Sequence, residues 1–158
     1  MQALIFINVA IGSYYLMSIM QTVLHRFYGH KQRIRAVFEA HAIRHHSQYP
    51  PKKLQSENFV ELESNALYYY GIPIVVFLAI SYVAFGPLVT TAYMLGVVFT
   101  FVWHYYLHRQ YHLNESPLDR FAWFRTKRHL HFEHHRNARV NFAVVEFWID
   151  TLMGTRKD

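Results

Sequence analysis

The pattern of apolar and polar positions divides this chain into uncharged stretches long enough to cross a bilayer and histidine-bearing polar stretches between them. Residues 1–24 contain no charged side chain. A helix of that length matches a hydrocarbon core of about 30 Å, which predicts a first span over about 3–24. No basic segment precedes this apolar run and a histidine cluster follows it at once, so it reads as a retained span rather than a cleaved leader. Residues 25–63 carry seven Lys/Arg, four Glu and five His, with Pro50-Pro51 ending any helix there. Residues 64–103 are again uncharged. That is about twice the length one crossing needs, and Gly86-Pro87 stands where a turn would divide it, predicting spans over 65–85 and 88–107. Gly71 and Pro73 predict a kink near the start of the first of these, and Tyr68-Tyr69-Tyr70 suit the interfacial aromatic belt.

Beyond His108 the chain is polar through Arg139 and then apolar over 140–153, with Glu146 and Asp150 inside. This stretch is too short and too charged to span, so it predicts an amphipathic helix at the interface or lining a cavity, ended by Gly154. The expected fold is a single all-α membrane domain over 1–158, with about three transmembrane helices and a histidine-rich helical cap. One span followed by a hairpin of two brings every histidine cluster to the same side of the bilayer.

Composition and charge sharpen this picture. Hydrophobic residues make up 53% of the 158 and aromatics 18%, which points to lipid. The net charge of +6 would suit nucleic acid, but all sixteen Lys/Arg lie in 25–64 or 109–158 and none lies in the turn near Gly86. By the positive-inside rule the shared side is cytoplasmic, of a bacterial inner membrane or the endoplasmic reticulum, and no nucleic-acid partner is needed to explain the basic balance. There is no cysteine, which excludes disulfides, thiolate metal sites and cysteine nucleophiles.

The candidate chemistry is carried by histidine. His25-x4-His30, His41-x3-His45-His46, His104-x3-His108 and His131-x2-His134-His135 form four clusters, and His112 and His129 complete the twelve. The four clusters give ten candidate metal ligands: His25, His30, His41, His45, His46, His104, His108, His131, His134 and His135. Imidazole binds zinc, copper, iron or nickel, so the ligand type leaves the metal open. One ion rarely takes more than about six ligands, so ten nitrogens predict two ions sharing a site. The pairs four apart, His41/His45 and His104/His108, are expected to face one way on their helices. His25 and His30, five apart, diverge by about 140° on an α-helix and require either different ions or a distorted turn. Glu39, Glu133, Glu146 and Asp150 are candidates to accept the second N–H of the ligating rings, with pairing to arginine as the competing role. His112 and His129 read as bystanders.

These four boxes in order, with Tyr49-Pro50 after the second and Phe147-Trp-Ile-Asp-Thr-Leu-Met-Gly-Thr155 at the end, resemble the fatty acid hydroxylase superfamily, which includes sterol desaturases and fatty acid 2-hydroxylases. The likeness covers residues 25 to 155. The chain departs from the family pattern at Asn141-Phe-Ala143, where an aromatic followed by glycine is usual, and at Ile149, which separates Trp148 from Asp150. The resemblance implies a membrane di-iron enzyme that uses O2 to hydroxylate, or alternatively desaturate, a lipid C–H bond. It implies the ten histidines as ligands of two iron ions, with zinc a possible substitute in a purified sample. Its substrate would be fatty acyl or sterol-like. No flavin, nucleotide or haem motif is evident, so electrons are expected from a separate b-type cytochrome or ferredoxin system.

Two other classes compete. A non-enzymatic membrane metal carrier or sensor would place polar ligands near the bilayer midplane, whereas these clusters fall at the ends of the spans. A zinc hydrolase needs about three ligands and a general base, not ten histidines.

Overall fold

The computed structural model describes residues 1–60 and 67–158, and side chains only outside 67–70, so the predicted start of the second span at 65 lies outside the described residues and the Tyr68–Tyr70 belt outside the described side chains. The described residues are helical with no strand; Ser56 and Leu113 form an isolated bridge. Helix α1 covers Gln2–Leu24 and continues without interruption into a π-helical turn, His25–Gly29. Short helix α2 (Arg35–Phe38) runs into a second π-turn, Glu39–His45, which is followed by α3 (His46–Gln48). The long helix α4 covers Leu67–Tyr111, α5 covers Ala122–Arg136, and α6 covers Trp148–Leu152.

Among the described residues, two helices are long and apolar enough to cross a membrane, Gln2–Gly29 and Gly71–Tyr111. The second is not one rod. Gly86 sits at φ 75° and ψ −177°, outside the helical region, a conformation open essentially to glycine alone. Pro87 then starts the second arm, where its missing N–H costs nothing. Thr90 Oγ1 lies 3.3 Å from Ser81 Oγ, while nine residues of straight helix would separate them by about 13.5 Å along the axis. The chain therefore doubles back at Gly86, as the Gly-Pro pair predicts. Gly71 and Pro73 lie within helical backbone, and Gly86 is the non-helical position within α4.

The returning arm packs along α1. A Cβ at Gly96 would meet Ser13 Oγ at 2.1 Å and the Ala10 carbonyl oxygen at 2.3 Å, so the two backbones touch where glycine permits it. Thr100, fully buried, donates to the Gly96 carbonyl at 2.7 Å. Small residues and internally bonded hydroxyls are what close helix packing in lipid requires. Further along, His104 Nδ1 lies 3.1 Å from Gln21 Oε1. Ser13 opposite Gly96 and Gln21 opposite His104 keep the same offset, so the two helices run parallel and end together. Their outer faces are apolar and exposed, with Leu4, Ile7, Ile11, Leu16, Leu95, Val98 and Val102 among the examples.

The C-terminal part closes that end. Leu107, Tyr111, Phe124, Val144 and Val145 form one core cluster, with Tyr14, Trp103, Leu118 and Phe132 against it. The predicted continuous helix over 140–153 is not formed. Only Trp148–Leu152 is helical, because Asn141 takes a left-handed φ of 52° and the Asp150 carboxylate captures the amides of Phe142 and Ala143. Gly154, at φ 65°, ends α6 as its sequence position predicts.

Candidate metal centre

The two π-turns explain how histidines five apart meet. In a π-turn the backbone bond runs from residue i to i+5, and here the His30 amide donates to the His25 carbonyl at 3.2 Å and the His46 amide to the His41 carbonyl. Each pair is thereby brought to one side: His25 Nε2 and His30 Nε2 are 3.2 Å apart, and His41 Nε2 and His46 Nε2 are 3.1 Å apart. Gly29 makes the first turn possible, since a Cβ there would stand 3.0 Å from His25 Cδ2 and 3.3 Å from His41 Cδ2. Where the backbone is regular α-helix, the four-residue rule holds instead. His131 and His135 project together from α5, and His112, in the turn just after α4 with its amide bonded to the Arg109 carbonyl at 3.2 Å, stands beside His108.

The outcome is two groups of ring nitrogens. His25, His30, His41 and His134 form the first; His45, His108, His112, His131 and His135 form the second, with the candidate ligand atoms of each group all within 4.8 Å of one another. His46 stands between them, 3.1 Å from His41 on one side and stacked on the His135 ring at 4.3 Å on the other. Helix α5 contributes to both groups, His134 to the first and His131 and His135 to the second.

His41 and His45 face one way, as their spacing predicts, with their rings stacked at 5.2 Å, although they contribute to different groups. Two other sequence expectations change here. His104 joins neither group and bonds Gln21 instead, while His112, read as a bystander, lies fully buried in the second group. His108-x3-His112 overlaps His104-x3-His108 with identical spacing, so spacing alone cannot choose between them. His129 is exposed and belongs to neither group.

The hydrogen bonds fix which nitrogens face inward. Carbonyl oxygens only accept, so a ring whose Nδ1 meets one must carry its proton there and present Nε2 as a lone pair. His25 Nδ1 meets the Phe142 oxygen at 2.5 Å, and His134 Nδ1 meets the Val140 oxygen at 2.7 Å. In the second group His135 Nδ1 meets Tyr49 O at 2.9 Å and His112 Nδ1 meets Leu54 O at 2.8 Å. Main-chain carbonyls do the orienting that the sequence assigns to carboxylates. Glu39 instead pairs with Arg35 at 2.7 Å, Glu133 with Arg136 at 2.6 Å, Glu146 accepts from the Tyr14 hydroxyl at 2.5 Å, and Asp150 binds backbone amides.

The inward lone pairs crowd one another. His25 Nε2 is 2.6 Å from His41 Nε2, His30 Nε2 is 2.9 Å from His134 Nε2, His45 Nε2 is 3.1 Å from His108 Nε2, and His112 Nε2 is 3.0 Å from His131 Nε2. Nitrogens bound to one cation at about 2.1 Å and at right angles to each other stand about 3.0 Å apart, so these spacings fit a metal ion in each group. Burial, reinforced by neighbouring rings, pushes His41, His45, His131, His134 and His135 well below the ordinary imidazole range. Burial lowers His46 to about 3 and His112 to about 4. The rings are therefore neutral at physiological pH, the protonation state a ligand needs.

The model of the fatty acid hydroxylase family matches residues 10–155. The chain belongs to the fatty acid hydroxylase family. No curated protein and no solved structure matches it. As a fatty acid hydroxylase family member it has the membrane-type helices and the histidine groups of a hydroxylase-like protein, and its two groups could hold metal ions.

Proposed function

We propose that this chain is a membrane di-iron oxygenase that hydroxylates a C–H bond of a lipid, fatty acyl or sterol-like, using O2 and electrons from a separate b-type cytochrome or ferredoxin system. The observation that carries the reading is the pair of adjacent all-imidazole groups, joined by His46, at the common end of two parallel apolar helices. His25, His30, His41 and His134 would hold one iron, and His45, His108, His112, His131 and His135 the other. His46 stands within reach of both groups. Iron bound in such a pair supplies the reduction of O2 and the oxidation of an unactivated C–H bond, with two external electrons and two protons leaving one oxygen atom in the product and one in water.

The protein's own part is placement. The carbonyls of Phe142, Val140, Tyr49 and Leu54 hold four rings in the tautomer that turns Nε2 inward. The histidines of both groups are buried or nearly so, which excludes bulk water. The reversal at Gly86 and the parallel course of α1 and the returning arm support three crossings, with the histidines at one membrane face. The confinement of Lys/Arg to 25–64 and 109–158 supports that face being cytoplasmic.

Lipid extracts of cells with and without the gene, analysed by mass spectrometry, test this reading: a product one oxygen heavier is expected, and one lacking two hydrogens would assign desaturation on the same site. His135→Ala and His45→Ala should each abolish turnover and lower the iron content. Undiminished product from both variants would refute the assignment.

A further inference from the structure

The rings of the two groups are steadied by two different pieces of chain. In the first group, His25 and His134 rest on the carbonyls of Phe142 and Val140, alternate residues of one turn. In the second, His135 and His112 rest on Tyr49 and Leu54, on either side of Pro50-Pro51. The 140–143 turn is itself held in an uncommon shape. Asn141 has a left-handed φ of 52°, a conformation that non-glycine residues seldom adopt and that asparagine tolerates because its short polar side chain can bond locally.

Two buried side chains enforce it. Asn141 Nδ2 donates to the Leu130 carbonyl at 3.1 Å and to the Lys157 carbonyl at 2.7 Å, and its Oδ1 accepts from the Lys157 amide at 2.8 Å. Asp150, fully buried, accepts from the Phe142 amide at 2.7 Å, the Ala143 amide at 2.8 Å and the Thr155 hydroxyl at 2.7 Å. Its two backbone bonds fix the peptide planes on both sides of Phe142, and so fix where the Phe142 carbonyl points. Asp150 is not among the residues of either group.

We propose that Asp150 is a positioning residue for one metal only: through the 140–143 turn it orients His25 and His134 and so sets the metal affinity of the first group, leaving the second group to the Pro50-Pro51 segment. This rests on the two-metal reading above. Partners of ligating histidines typically contribute roughly 10–100-fold to metal affinity, and that contribution falls here on one ion of the two.

The test is a graded chelator titration of the full-length protein loaded with zinc in detergent, with metal per chain counted by elemental analysis and helicity followed by circular dichroism. The unaltered protein should hold two ions. Asp150→Asn puts an NH2 group against one of the two amides and should release one ion at roughly 10–100-fold lower chelator, with the other ion unchanged. Adding His25→Ala to Asp150→Asn should weaken the first ion by less than the two separate effects combined, since part of what Asp150 does passes through His25, whereas adding His108→Ala should weaken both ions. Equal weakening of both ions by Asp150→Asn, or no weakening, would overturn the proposal. If Asp150→Asn loses its helicity, Thr155→Val, which removes a single bond to the carboxylate, must still weaken one ion selectively; an even effect on both defeats the idea. An unaltered protein that holds no metal would instead defeat the two-metal reading, before any variant is compared.

Discussion

His112 Nδ1 lies 2.8 Å from the carbonyl oxygen of Leu54, 58 residues earlier in the chain. That contact fixes the ring's tautomer and turns its Nε2 toward His131, whereas His104, eight residues earlier, is turned to Gln21. In space, therefore, His108 and His112 stand together in the second group and His104 stands outside both. His112→Ala should lower the bound metal by about one ion per chain, and His104→Ala should leave metal content unchanged. Elemental analysis of the two purified variants side by side checks this, and the reverse ranking would contradict it.

Gly29 sits under two rings of the first group. A methyl at this position would press on His25 at 3.0 Å and His41 at 3.3 Å, and overpacking of this kind costs about 1–3 kcal/mol. Gly29→Ala is expected to retain its helical content and to weaken one metal by roughly tenfold, comparable to loss of a ring-orienting partner. Competition with a chromogenic chelator measures it.

Gly96 is where α1 and the returning arm touch. Because Gly96 meets the Ala10 carbonyl oxygen, a backbone atom that cannot swing aside, Gly96→Val should force the helices apart. The expected loss is several kcal/mol, at the upper end of overpacking costs, seen as a lowered thermal midpoint in detergent. Gly12→Ala, with open space around it, should leave the midpoint nearly unchanged.

Removing metal should expose the cost of the converging lone pairs. Each ion present at about a hundred times its dissociation constant stabilises the folded state by about 2.7 kcal/mol. Chelation is therefore expected to lower the unfolding midpoint and re-addition to restore it, with the size of the shift following the free metal concentration. A midpoint indifferent to metal would show that neither group binds.

Much of this architecture is legible along the chain because it depends on local quantities. The uncharged lengths 1–24 and 64–103 exceed a bilayer's thickness, Gly86-Pro87 punctuates the second, and the histidines cluster at their ends. The closing turn was not legible. Residues 140–153 have a helical length of apolar sequence, yet the amides of Phe142 and Ala143 are taken by Asp150, a competition that exists only once α6 has folded back.

Residue types alone were enough to read helices with membrane-length apolar stretches and a wealth of imidazole nitrogens, since hydropathy and ligand chemistry need no fold. Tertiary structure alone decided how the rings divide. Spacing states which residues share a helical face only when the helix type is known, and the π-turns at His25 and His41 change that rule. Which ring turns inward is set by distant carbonyls, at Leu54, Tyr49, Val140 and Phe142, that no local pattern announces.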